Sequence, residues 1–243
     1  MRIQICGPLV IESDGVRLEY RLPGRQGRLA FTFLVTRRQV SRDELAEVLW
    51  PDDQPSAIDG ALNPLLSKLR KALGADAIEG RTALRLNLPR AWVDLDAAAE
   101  AVHRAESSVA RGDWKRAWGP AQVALFVAER EVLLGEDAPW IDEVRRQLAD
   151  IRIRALECYA TAELGVGGAE LAGAVRAGRH LVRLAPLRET GYCLLMEALT
   201  YQGNLAEALH VYGVLCGTLR DQLGVSPSPT SCAVYERLLQ STT

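Results

Sequence analysis

A chain of 243 residues, 48% hydrophobic and 25% charged, is long enough for two cores, and its ordinary composition excludes a disordered or fibrous polymer. The net charge of −2 hides an asymmetry: residues 1–91 hold 14 Lys/Arg against 11 Asp/Glu, net +3, and residues 92–243 hold 15 against 20, net −5. A surplus of +3 is modest for a nucleic-acid binder, so such binding has to rest on local clustering and on two copies acting together. No apolar run approaches the length of a bilayer span, and Met1-Arg2 leads into IQICGPLVIE rather than a signal-peptide apolar region. We therefore expect a cytoplasmic protein with no membrane partner. Cys6, Cys158, Cys193, Cys216 and Cys232 show no CxxC spacing, which leaves no metal site and no redox motif and predicts buried thiols.

Arg2 to Glu12 reads as extended, Ser13-Asp14-Gly15 as a hairpin turn, and Val16 to Tyr20 as the return strand of a small antiparallel sheet. From Arg25 to about Arg38, Leu29, Phe33 and Leu34 recur at helical spacing. Ser41 caps a second helix, with Glu44 completing a capping box, Leu45, Val48, Leu49 and Trp50 on the buried side, and Pro51 as the stop.

Ser56 to Gly74, SAIDGALNPLLSKLRKALG, is the most informative stretch. Advancing about 100° per residue from Asn63 gathers Ile58, Leu62, Leu65, Leu66, Leu69 and Leu73 into one apolar stripe. The opposite face carries Ser67 and Lys71, flanked by Lys68 on one side and by Asn63 and Arg70 on the other. On a DNA-recognition helix, Lys68, Arg70 and Lys71 would meet phosphates while Asn63 and Ser67 reach base edges. Pro64 allows two geometries: a helix beginning at an Asn63 cap, or a longer one starting after Ser56 and bending at Pro64. Ile58 and Leu62 already keep the helical pattern, which favours the second.

Ala77-Ile78 and Thr82 to Leu88 form two short strands around Glu79-Gly80-Arg81, with Arg81 at the tip. The order sheet, helix, helix, helix, hairpin is that of a winged helix-turn-helix with an added N-terminal sheet. From Asp94 the chain becomes alanine-rich helix. An offset of 34 residues pairs Cys158 with Tyr192, Ala174 with Ala208, Gly178 with Tyr212 and Leu181 with Leu215, the tetratricopeptide period, with Pro186 where such a repeat ends. The spacing fails earlier, where a long insertion around GEDAPWIDEVRRQLADIRIRALE extends one helix pair. The expected fold class is mainly α with a small β part, divided into a winged helix-turn-helix domain at 1–91 and a tetratricopeptide-like helical domain at 92–243.

The opening IQICGPLVIESDG, the pair SRDELAEVLWPDD, the stretch LLSKLRKALG, and later APWIDEVRRQL, RLAPLRETGYCLLMEAL, GNLAEALHVY and LRDQLGVSPSP with VYERLL together resemble the Streptomyces antibiotic regulatory protein family of transcriptional activators. The resemblance covers nearly the whole chain. It implies an N-terminal DNA-binding domain of the response-regulator output type followed by a bacterial transcriptional activation domain. It also implies direct-repeat promoter sites bound as a dimer on double-stranded DNA, and contact with RNA polymerase that aids its recruitment. Mapped onto this sequence it supports Asn63, Ser67, Lys68, Arg70 and Lys71 as groove-facing and Arg81 as the wing; Pro64 departs from the helix-compatible residue expected there.

Rival readings fare less well. His103, His180 and His210 are isolated, no phosphate loop ending in Lys-Ser/Thr or nucleophile elbow is present, and Gly165-Val166-Gly167-Gly168 reads as a turn between helices, so neither an enzyme nor a cofactor is expected. The alternative is a tetratricopeptide-like adaptor without sequence-specific DNA binding. Trp50, Tyr192 and Tyr212 read as packing residues, and Trp140, after Pro139 in an acidic loop, as a partner contact or as core.

Overall fold

The computed structural model describes residues 1–240. The chain divides into two compact units, one of residues 1–96 with 130–146 and one of residues 97–129 with those from 147 onward.

The first unit opens with β1 (Arg2–Gln4), β2 (Val10–Ser13) and β3 (Val16–Arg17), followed by α1 (Gly24–Arg37), β4 (Gln39–Ser41), α2 (Arg42–Leu49) and α3 (Ile58–Leu73). The strands β5 (Ile78–Glu79), β6 (Ala83–Leu86) and β7 (Trp92–Val93) complete it. β1 and β2 pair antiparallel with Ile3 opposite Ile11, and Asp14 (φ 52°) with Gly15 (φ 76°) makes the tight turn to β3. The antiparallel expectation needs one correction: β7 joins the sheet parallel to β1, with Val93 opposite Ile3, giving the order β3-β2-β1-β7. The reading also missed β4, which pairs antiparallel with β6 and makes a three-stranded sheet of the hairpin. Strands of two or three residues are too short to display a period of two.

Asp94 explains why β7 stays in place. Its carboxylate is buried and accepts the amides of Ile5 (2.9 Å), Cys6 (3.0 Å) and Leu95 (2.9 Å), capping the next helix and holding the end of β1 at once. Residues 130–146 close the unit: Cys6 bridges to Val132, and Trp140 packs edge-on against Phe33 with ring centroids 5.1 Å apart. Trp140 is 7% exposed, so the partner-contact reading is corrected to core. The acidic neighbours that suggested a surface role instead fold the loop, through Arg145, which pairs with Asp137 (3.2 Å) and Asp142 (3.3 Å) and donates to the Glu136 carbonyl (2.9 Å).

The second unit is helical: α4 (Asp94–Ala110), α5 (Trp114–Ala128), α6 (Pro139–Val166), α7 (Leu171–Leu184), α8 (Glu189–Tyr201), α9 (Leu205–Leu223) and α10 (Pro229–Gln240), with the first turns of α4 and α6 belonging to the other unit. The 34-residue offset carries α6 onto α8 and α7 onto α9. Cys158, Tyr192, Ala174, Ala208, Leu181 and Leu215 are all buried. Close packing of α7 on α8 needs glycine at two crossings: a Cβ on Gly178 would lie 2.9 Å from Leu195 Cβ, and one on Gly191 would lie 2.8 Å from Leu181 Cβ. Of the Gly165-to-Gly168 stretch, Gly165 and Val166 end α6, and the connection to α7 is Gly167 with a short 3-10 turn at Gly168–Glu170, so the turn starts later than the sequence suggested. Repeat spacing breaks before α6 because residues 130–138 belong to the other compact unit.

Two buried or half-buried carboxylates fasten this unit. Glu163, 2% exposed, accepts the Trp118 indole N–H at 2.6 Å. Glu189 accepts the Ser228 amide and hydroxyl (both 2.9 Å) and the Ser231 hydroxyl (2.6 Å), holding α10 by its first turn. Tyr192 is core, donating to the Pro186 carbonyl at 3.0 Å, whereas Tyr212 is half-buried and stacks on Tyr235 with centroids 4.0 Å apart. The buried-thiol expectation is corrected in part: all five cysteines are free, with Cys6 and Cys158 buried and Cys193, Cys216 and Cys232 half-buried.

Candidate nucleic-acid interface

Helix α3 runs unbroken from Ile58 to Leu73 with Pro64 inside it, so the geometry beginning at an Asn63 cap is excluded. The proline deprives only the Gly60 carbonyl of its helical donor. Gly60 and Pro64 both lie on the exposed face, where water replaces the lost bond and lowers the usual cost of about 3 kcal/mol. Leu62, Leu65, Leu66, Leu69 and Leu73 are buried as the stripe requires, and Ile58 is half-buried at the first turn.

The other face is open. Asn63, Ser67, Lys68 and Lys71 are all exposed, and the exposed Arg81 follows Gly80 at the turn between β5 and β6. Glycine is obligatory there: its φ is +92°, and a Cβ would lie 1.8 Å from the Ala83 carbonyl oxygen. Arg70 stands apart from the other sequence-chosen residues. It is half-buried, and its Nε donates to the Ile78 carbonyl at 3.0 Å, tying α3 to the hairpin.

The sequence reading missed Arg42, which assembles this face. As the first residue of α2, it places Nε 2.6 Å from Asp59 Oδ1, without hydrogen-bond alignment, donates from Nη2 to Asn63 Oδ1 at 2.6 Å, and reaches the Arg81 carbonyl from Nη1 at 3.4 Å. One guanidinium thus links the N-terminus of α2, two turns of α3 and the hairpin tip. Its position, directly after a helix cap, was the available signal: there its side chain leaves α2 beside the following helix. The cap is the predicted box: Ser41 Oγ accepts the Glu44 amide (3.1 Å) and Glu44 accepts the Ser41 amide (2.6 Å). That backbone hydrogen bond from Ser41 holds the Glu44 carboxyl below its ordinary pKa.

Asp94 shows the opposite shift, with burial raising its carboxyl pKa against three amide donors that lower it. Burial likewise raises the Cys6 thiol, with the nearby Asp94 carboxylate adding to the rise. These groups are structural ties, and among the described residues no cluster of His, Cys, Asp or Glu is arranged to hold a metal ion.

The family described as the bacterial transcriptional activator domain matches residues 93–239. The regulatory protein AfsR of Streptomyces coelicolor is 32% identical over 99% of this chain, which spans 24% of that protein. The transcriptional regulatory protein EmbR of Mycobacterium tuberculosis is 27% identical over 97% of this chain, which spans 62% of EmbR. A solved structure of EmbR in complex with a low-affinity phosphopeptide superposes with a TM-score of 0.87 at 24% identity, over 99% of this chain and 65% of that one, which establishes the shared fold. Mostly helical, with two small sheets and a matched activator domain over more than half its length, the chain belongs to the Streptomyces antibiotic regulatory protein family of transcriptional activators.

Proposed function

We propose that this chain is a sequence-specific DNA-binding transcriptional activator of the cytoplasm, whose first unit is a winged helix-turn-helix of the response-regulator output type. One observation carries the reading: α3 buries a complete leucine stripe and turns outward a face of Asn63, Ser67, Lys68 and Lys71 bearing no carboxylate beyond its first turn. Helix α3 enters the major groove, Arg81 meets backbone or minor groove as the wing, and Lys68 and Lys71 contact phosphates. Arg70 serves mainly to fix the hairpin. Since Arg42 occupies Asn63 Oδ1, the Asn63 amide nitrogen faces the bases as a donor. Two copies on direct repeats supply the affinity that a surplus of +3 cannot, and the helical unit contacts RNA polymerase, in keeping with the activator-domain family it matches.

The experiment titrates the full chain with labelled duplex DNA across a salt series. Lys71→Ala should weaken binding to every sequence and reduce the salt slope by about 0.9, whereas Asn63→Ala and Ser67→Ala should change the preference among selected sites. A chain that is folded but binds no duplex at low salt leaves the adaptor reading in its place. Transcription in vitro at operator saturation tests the second half: occupancy without stimulated initiation would remove the polymerase contact.

A further inference from the structure

A second cationic element stands beside α3, outside the helix-turn-helix. Arg21 ends a short 3-10 turn (Glu19–Arg21) and lines one open cleft with Pro23, Lys68, Lys71 and Ala72; no carboxylate contributes to that lining. Elsewhere in the first unit Arg17, Arg25, Arg37, Arg38, Arg42 and Arg85 each pair with an acid. Arg21, Lys68 and Lys71 have no ion pair among the described residues.

The turn fixes the Arg21 backbone and leaves its exposed side chain without an ion pair among the described residues. Leu18 and Leu22 on either side are buried, and the Arg21 amide donates to the Leu18 carbonyl at 2.9 Å. The turn's own acid is engaged elsewhere, since Glu19 accepts the Ile11 amide at 3.0 Å and pairs with Arg17. Around α3, Lys68 lies about 160° from Arg70, which faces the hairpin, so the cleft flanks the helix on the side away from the hairpin. Three like charges on one cleft repel each other and weaken the fold unless a polyanion occupies it.

We propose that Arg21, Lys68 and Lys71 form a phosphate clamp that grips the DNA backbone along the flank of α3 opposite the hairpin. The clamp rests on the DNA-binding reading above and adds to it a contact from outside the helix-turn-helix. The shared chemistry is a phosphate oxyanion, supplied by duplex backbone rather than by a free anion.

The test uses the full chain, a random-sequence B-form duplex and, separately, inorganic phosphate. Arg21→Ala should weaken duplex binding roughly three- to tenfold and lower the salt slope by about 0.9, the share of one phosphate. Its urea midpoint should stay level or rise, because one repelling charge is gone. Arg28→Ala, which removes an exposed cation lining a different cleft, should change neither binding nor slope. The clamp is overturned if Arg21→Ala binds the duplex with unchanged slope while Lys71→Ala loses its contact, or if Arg21→Ala loses affinity for inorganic phosphate alone. Should the unmutated chain bind no duplex, the DNA reading itself fails and the clamp with it.

Discussion

At the residue scale, Arg42 holds the candidate interface together and Asp94 holds the end of β1 beside β7. Arg42 ties α2, α3 and the hairpin, yet its partner Asp59 is largely exposed, so solvent screens the pair. We expect Arg42→Ala to cost about 1 kcal/mol in urea unfolding and, by freeing Asn63 Oδ1, to shift site preference as Asn63→Ala does. Unchanged preference would mean that Asn63 does not read bases. Asp94 is the firmer tie. Asp94→Ala strips two buried amides, on Ile5 and Cys6, of their acceptor and should cost about 2–4 kcal/mol, while Asp94→Asn keeps one acceptor and should cost less.

The carboxylates also set the response to acid. Glu106 lies below its ordinary value of 4.5 chiefly because Arg154 donates to both its oxygens, and Glu189 does so because the Ser231 and Ser228 bonds outweigh burial. A carboxyl whose pKa is depressed on folding contributes stability above its unfolded value, lost as pH falls through the folded value. Stability should therefore decline as the pH drops below about 4.5, and Glu189→Gln should flatten part of that decline in a series of urea midpoints. Asp94 acts in the opposite direction: its raised pKa favours the folded state at low pH, and that contribution fades as pH rises through the folded value.

At the scale of elements, packing overrides helix propensity. Alanine is the better helix former by about 1 kcal/mol, so Gly178→Ala in an isolated helix would stabilise. Here the added methyl meets Leu195 Cβ at 2.9 Å and its Cα at 3.0 Å, and we expect a net loss of about 1–3 kcal/mol in thermal or urea unfolding. A gain in stability would show that α7 and α8 separate at little cost. Helix α3 makes the complementary case: its apolar stripe was fully legible because six positions at helical spacing fix one buried face whatever covers it. Arg70 was misjudged in emphasis for the converse reason. Its angle placed it beside Asn63, but the carbonyl of Ile78 that engages it arrives from another element.

At the scale of the whole molecule, the first compact unit is not a continuous stretch. A fragment of residues 1–91 lacks β7, the Asp94 ties and residues 130–146, and it exposes the surface of Phe33 that Trp140 covers. We expect that fragment to unfold at much lower urea than the unit does in the full chain, or to show no cooperative transition by circular dichroism. A fragment as stable as the unit would mean that residues 130–146 add no stability. Among the described residues no helix is long and apolar enough to cross a membrane.

By itself the sequence determined what is local and periodic: the capping box at Ser41, the buried stripe of α3, the turn at Asp14-Gly15, and the 34-residue recurrence that carries α6 and α7 onto α8 and α9. Each is written in residues a few positions apart, or in a spacing that repeats. Only the tertiary structure decided the pairings between distant segments: β7 beside β1, β4 beside β6, Trp140 on Phe33, Arg42 across to Asn63, and Arg21 beside Lys68 and Lys71. These depend on which surfaces remain to be covered once the local elements exist, and a strand of two residues or a single arginine carries no period to announce its partner.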